Sequence, residues 1–145
     1  MLLAAALFLS AAVVHGDSLR GHVQVVGVAE QPTVTLVPDG GGHAVLLNGP
    51  SIGLLRKVDG LVVDVIGTTN GRDMLVDHFT VVAANGLPAT DGRLAMSGDT
   101  LLLITADGVR HPLVRPSPVL RARVGHRVWV SGRLDREPVG YGIIQ

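Results

Sequence analysis

Leu55-Arg56-Lys57-Val58-Asp59-Gly60-Leu61-Val62-Val63-Asp64-Val65-Ile66-Gly67 decides how this chain is read, because the chain uses the pattern twice. Sixty-five residues on stands Leu120-Arg121-Ala122-Arg123-Val124-Gly125-His126-Arg127-Val128-Trp129-Val130-Ser131-Gly132. Laid together without a gap, the two share Leu-Arg-x-x-x-Gly-x-x-Val-x-Val-x-Gly. The pattern describes a helical turn, a glycine that stops it, and a strand closed by a second glycine. It speaks to architecture and is silent on chemistry.

Working outward, each copy sits in a run of strand-like segments. Gly21–Gly27 alternates, with Val23 and Val25 on one face, and Thr33–Val37 alternates again. Pro38-Asp39-Gly40 is a turn, His43–Leu47 a third strand, Pro50–Asp59 the helical segment and Leu61–Ile66 a fourth strand. Asn70-Gly71 is expected at the centre of a two-residue hairpin turn before a fifth strand, Met74–Ala83. The second half repeats the order with strands at Gly92–Gly98, Thr100–Thr105, His111–Val114, Val128–Ser131 and Tyr141–Ile144. Pro116-Ser117 there matches Pro50-Ser51 ahead of the helical turn.

Strand, strand, strand, short helix, strand, strand in some sixty residues resembles a minimal OB-fold, and small exported bacterial OB-like proteins are similar in general form. The resemblance covers Gly21 to Ile144 and rests on element order and repetition. It implies an all-β chain of two tandem five-stranded OB-like barrels, each with one short helix between its third and fourth strands. The first would span 17–86 and the second 87–145. A single β-sandwich of all ten strands is the alternative. Each copy lies near the size at which a core sustains itself, so the two are expected to pack together.

Composition narrows the function classes. The 145 residues carry 12 basic and 12 acidic side chains, so no net field favours a polyionic partner. From 17 to 86 four basic side chains stand against seven acidic ones; from 87 to 145 eight stand against five. That asymmetry fits mutual docking of the halves. The absence of cysteine excludes disulfides, thiolate metal sites and thiol nucleophiles. Leu2–Val14 is apolar apart from Ser10, too short for the roughly 20 residues that span a bilayer but right for a signal peptide. Residues 1–16 are therefore expected to be a leader cleaved near Gly16, with an uncleaved anchor or a buried first strand as alternatives. The mature chain is then periplasmic or extracellular, bacterial, and without a stable membrane span.

Few residues suggest chemistry. Val63 and Val65 align with Val128 and Val130 and should face inward, which turns Arg127 and Trp129 outward. An indole beside a guanidinium is a platform for a ligand, or it fills the groove between the halves. Trp129, Arg127, Tyr141 and Arg133 are the candidate ligand-binding residues. Aligning Thr33 and Thr35 with Leu101 and Leu103 marks these two leucines as a candidate interface, since apolar side chains on that face would need cover. Asp64, alone in an apolar strand, is expected to be exposed or paired with an arginine. The histidines are scattered, and neither a Gly-x-Ser-x-Gly elbow nor a phosphate-binding loop is present. The reading is a non-catalytic, exported binding or assembly module with no cofactor or metal and an unspecified ligand. Its partner would be a second copy or another envelope protein, with nucleic acid disfavoured. The rival is a binder of oligosaccharide or single-stranded nucleic acid through the Trp/Arg surface of the second barrel.

Overall fold

Valines at every second position need one covered face, and the chain covers them by wrapping strands. A computed structural model describes residues 16–145; the leader expected over 1–16 lies outside the described residues except for Gly16. The chain is all-β. The first half contains β1 (Asp17–Val26), β2 (Thr33–Pro38), β3 (Val45–Asn48), α1 (Ile52–Leu55, continued by a 3-10 turn to Val58), β4 (Val62–Asn70) and β5 (Asp73–Ala84). The second contains β6 (Leu87–Ser97), β7 (Thr100–Ile104), β8 (Arg110–Pro112), α2 (Pro118–Arg121), β9 (Arg127–Ser131) and β10 (Gly140–Ile143). The helix expected over Pro50–Asp59 is a single α turn and a 3-10 turn. The hairpin turn falls on Gly71-Arg72 rather than Asn70-Gly71, with Asn70 paired to Asp73. Among the described residues no helix is long and apolar enough to cross a membrane.

All ten strands join one mostly antiparallel sheet. In the first half β1 lies between β2 and β4, β2 pairs with β3, β3 runs parallel to β5, and β5 pairs back with β4. The second half repeats part of this circuit: β6 lies between β7 and β9, β7 pairs with β8, and β9 pairs with β10. No pairing joins β8 to β10. The reason is length, since β4 and β5 extend into a long hairpin whose far arm meets β3, whereas β9 and β10 are short.

The repeated motif does the same work in both halves. Leu55 and Leu120 are fully buried, and Val63, Val65, Val128 and Val130 point into the cores as expected. The glycine after each helical turn ties that turn to the first strand of its half. Gly60 donates its N–H to Val23 O (2.8 Å) while Val23 donates to Leu61 O (2.9 Å). Gly125 donates to Leu94 O (2.7 Å) while Leu94 donates to His126 O (3.0 Å). Gly21 and Gly92 are a second matched pair. A Cβ at either would strike the backbone of the next strand, at Val37 and Ile104 respectively, so glycine lets the first strand of each half cross its neighbour closely.

Two apolar clusters result. The first includes Val23, Leu36, Leu55, Val63, Val65, Phe79 and Val81, and it also takes in Ile144 from the end of the second half. The second is smaller and consists of Leu94, Leu101, Leu103, Leu113, Leu120, Val128 and Val130. Leu101 and Leu103 are thus core residues of their own half, which corrects their assignment to an interface. Leu94 pairs with Leu103 as Val23 pairs with Leu36, so Leu101 and Leu103 correspond to Val34 and Leu36, not to Thr33 and Thr35. The connection between the first two strands is shorter in the second copy, and one residue of misalignment in a period-2 element exchanges inside for outside.

Asp64 is paired, as expected: Arg20 of β1 donates to its two carboxylate oxygens (2.5 and 2.7 Å) across the β1–β4 pair. The hydrogen bond and charge of the guanidinium hold the Asp64 carboxyl below its ordinary range.

Leu103→Ala should lower stability by about 2–5 kcal/mol, read from the urea midpoint, because it empties a fully buried site. It should leave the solution mass unchanged. Asp64 titrates lower folded than unfolded, so its contribution is complete above the unfolded value and disappears as pH falls through the folded one. Asp64→Asn should therefore lower stability slightly near neutrality, by no more than about 1 kcal/mol for so exposed a pair, and make no difference once the pH lies below the folded value, so that the acid limb flattens by the same small amount.

Candidate functional site

The halves meet where β5 lacks a strand. Its edge pairs with β3 only through Leu75 and with β6 only at Ala83 and Ala84. Between these points two side chains of the second half take up its backbone. Arg127 Nη2 donates to Phe79 O (2.7 Å), and Val81 donates its N–H to Asp91 Oδ2 (2.9 Å). The same two side chains form a bidentate ion pair, with Arg127 Nε donating to Asp91 Oδ1 (2.8 Å) and Nη2 to Oδ2 (2.8 Å). They sit diagonally across β6 and β9, where Asp91 faces Trp129 and Arg93 faces Arg127. The carboxylate side chain is 5% exposed and the guanidinium 19%, so solvent screens this pair far less than the Arg20–Asp64 pair. The guanidinium also lies over the Phe79 ring, 4.5 Å from its centroid.

Trp129 occupies the same face of β9 and packs against the first cluster. Opposite it on β10 stands Gly142, where a Cβ would collide with the indole Nε1. Glycine there leaves room for the ring to lie across the strand, an aromatic–glycine arrangement common in sheets. Ile144 and Lys57 complete the junction, with Lys57 Nζ donating to Ile144 O (3.1 Å).

Beside the ion pair opens a cleft of about 840 Å³, lined by β5 from His78 to Val82, by β6 from Ala89 to Arg93, and by the end of β7 and its following turn. Val82, Ala89, Ile104, Ala106 and Val109 give it apolar walls, and Arg127 with Asp91 stands at its side. A concavity of this size and lining suits a small molecule. Among the described residues no three His, Cys, Asp or Glu side chains converge as metal ligands would.

The four candidate ligand residues are not one surface. Trp129 and Arg127 come together, but at the junction, and Arg127 alone of the four lines the cleft. Tyr141 pairs with Val130, hence lies on the other face of β10, and is exposed. Arg133 is a solvent-exposed partner of Asp135 (2.6 Å). Sequence reasoning missed Asp91 and the cleft-lining segments of β5 and β7. The one available signal was a carboxylate alternating with Arg93 on a strand, which gains meaning only once β6 is placed against β9.

Arg127→Met should cost about 3–5 kcal/mol, because it strands a buried carboxylate. In the Asp91→Leu, Arg127→Met double variant the loss should be only partly recovered, since Phe79 O and Val81 N remain without partners. Urea denaturation of the three proteins measures both. Gly142→Ala should displace the indole and shift tryptophan emission to the red, a clean readout because Trp129 is the chain's single tryptophan.

No family model matches the chain, and no curated protein matches it. Among solved structures it is similar to a tRNA fluorescent labeling enzyme at 12% identity and a TM-score of 0.34, over 88% of this chain. The chain spans about 31% of that protein's length, and a likeness so slight carries no argument about fold or activity.

Proposed function

We propose that this chain is an exported, non-catalytic binding module built from two OB-like barrels, which binds a small molecule in the cleft at their junction. The OB reading is supported by strand order, since each half places its first strand between its second and fourth and sets a helical turn between its third and fourth. The first barrel is completed by the parallel β3–β5 pair, and the second stays open between β8 and β10. Units 17–86 and 87–145 follow from the same division.

The observation that carries the binding reading is the cleft itself. A gap of about 840 Å³ with apolar walls lies against a buried ion pair, at a point where two small units would otherwise gain by closing on each other. The oligosaccharide or nucleic-acid reading gains no comparable support, because Trp129 and Arg127 are engaged between the halves. Self-association through Leu101 and Leu103 loses its basis, as both are in the second core.

The neutral apolar dye N-phenyl-1-naphthylamine should bind at one site per chain. Ala106→Trp, at an exposed position of the cleft wall, should suppress that binding without altering the melting temperature. Dye binding absent in the parent protein, or unchanged by Ala106→Trp, would remove the cleft from consideration.

A further inference from the structure

The hydrogen-bonding groups of the cleft are unequally engaged, and the imbalance has a sign. The enclosed carboxylate on its lining is satisfied at both oxygens, and the exposed one at the rim at a single oxygen. Asp91 accepts from Arg127 and from Val81 N–H. Asp107, exposed at the rim, accepts from the Thr105 hydroxyl and from Val109 N–H (3.3 Å) through Oδ1 alone, bonds that hold its carboxyl below the ordinary range. The cationic and imidazole side chains are less occupied. Arg127 uses Nε and Nη2, and among the described residues Nη1 has no partner. Among the described residues no enclosed side-chain polar atom lacks a partner, so the unpaired Nη1 keeps accessible surface. His78 and His111, also on the lining, make no side-chain hydrogen bond among the described residues. Arg93 is the exception, donating to Gly125 O (3.2 Å).

We propose that the cleft is selective for a small amphipathic anion, whose carboxylate or similar acceptor meets Nη1 of Arg127 while its apolar body lies along Val82, Ile104, Ala106 and Val109. This rests on the cleft being a binding site and adds the class of ligand. The guanidinium is suited to the task because Asp91 and the Phe79 ring fix its plane, so little side-chain freedom is lost when a ligand arrives. An acceptor there gains a charge-assisted hydrogen bond in a partly desolvated place. A cationic ligand would find Asp91 fully engaged and only the solvent-exposed Oδ2 of Asp107 open, where water screens the attraction. An extended peptide adding to β5 is disfavoured, because Arg127 and Asp91 already hold Phe79 O and Val81 N.

The test compares octanoate, octanol and octyltrimethylammonium by calorimetry and by Trp129 emission, on the full chain. Octanoate should bind one to one, about tenfold or more tighter than octanol, and the ammonium most weakly. Arg127 also holds the halves together, so the deciding variants are at Val109, which is exposed on the cleft rim. Val109→Asp should weaken octanoate by about tenfold relative to Val109→Asn, while octanol should not distinguish the two variants. If octanol or the ammonium binds as well as octanoate, and Val109→Asp does not single out the anion, the anion selectivity is wrong and the cleft remains a binding site. If none of the three binds, both readings fall.

Discussion

The edge of β5 must be satisfied by something between the strands that flank it, and in this molecule Arg127 and Asp91 satisfy it. A strand there would have continued the sheet from β3 to β6. Two side chains supply the acceptor and the donor instead, reaching Val81 N and Phe79 O from β6 and β9. The relation between the halves follows from that substitution. It sets the face of β6, β9 and β10 that bears Asp91, Arg127 and Trp129 against the first half, and it brings Ile144 into the first core. A paired charge in such a place adds less stability than packed hydrocarbon would, yet it admits far fewer geometries. Its role here is to specify how the two halves dock.

Much of the fold was legible because the informative features are local and periodic. Glycine after a helical turn, valines at alternate positions and a proline-serine start describe each unit from within, and Ser117 does accept from Leu120 N–H at the start of α2. The expected inward faces of Val63, Val65, Val128 and Val130 needed only the two-residue period of a strand. The error at Leu101 and Leu103 has the opposite origin. The loop between the first two strands changed length between copies, and the alignment across it had no residue to pin it. Pairing settles the matter, because Leu94 must oppose Leu103 if the second half is built like the first.

The candidate site was legible only in part, for a related reason. Trp129 stood out as an aromatic on the outward face, and filling the groove between halves was one of its two expected uses. That use is what the indole has, with Gly142 clearing its bed. Asp91 did not stand out, because its partner is thirty-six residues away and its backbone contact lies on another strand. Charge counting over whole halves saw only a tendency to dock. Among the described residues no ion pair joins the halves; Asp91 and Arg127, paired within the second half, reach backbone atoms of β5 instead.

The differences between the copies, more than their likeness, locate the cleft. In the first copy a long hairpin carries β5 past β3 and the pairing circuit returns to β4. In the second β9 and β10 form only a short pair, and the outer face of β9 is left free to turn toward β5. Had that face carried only apolar side chains, the hydrophobic effect would have drawn it flat against the β5 edge and closed the gap. A guanidinium and a carboxylate touch that edge at two atoms and need space for their planes. The walls beyond them, from Val82 across to Ile104, therefore stay apart. A duplicated unit thus acquires a concave, partly desolvated surface where the second copy stops repeating the first, beside a guanidinium that its carboxylate partner engages at two nitrogens of three.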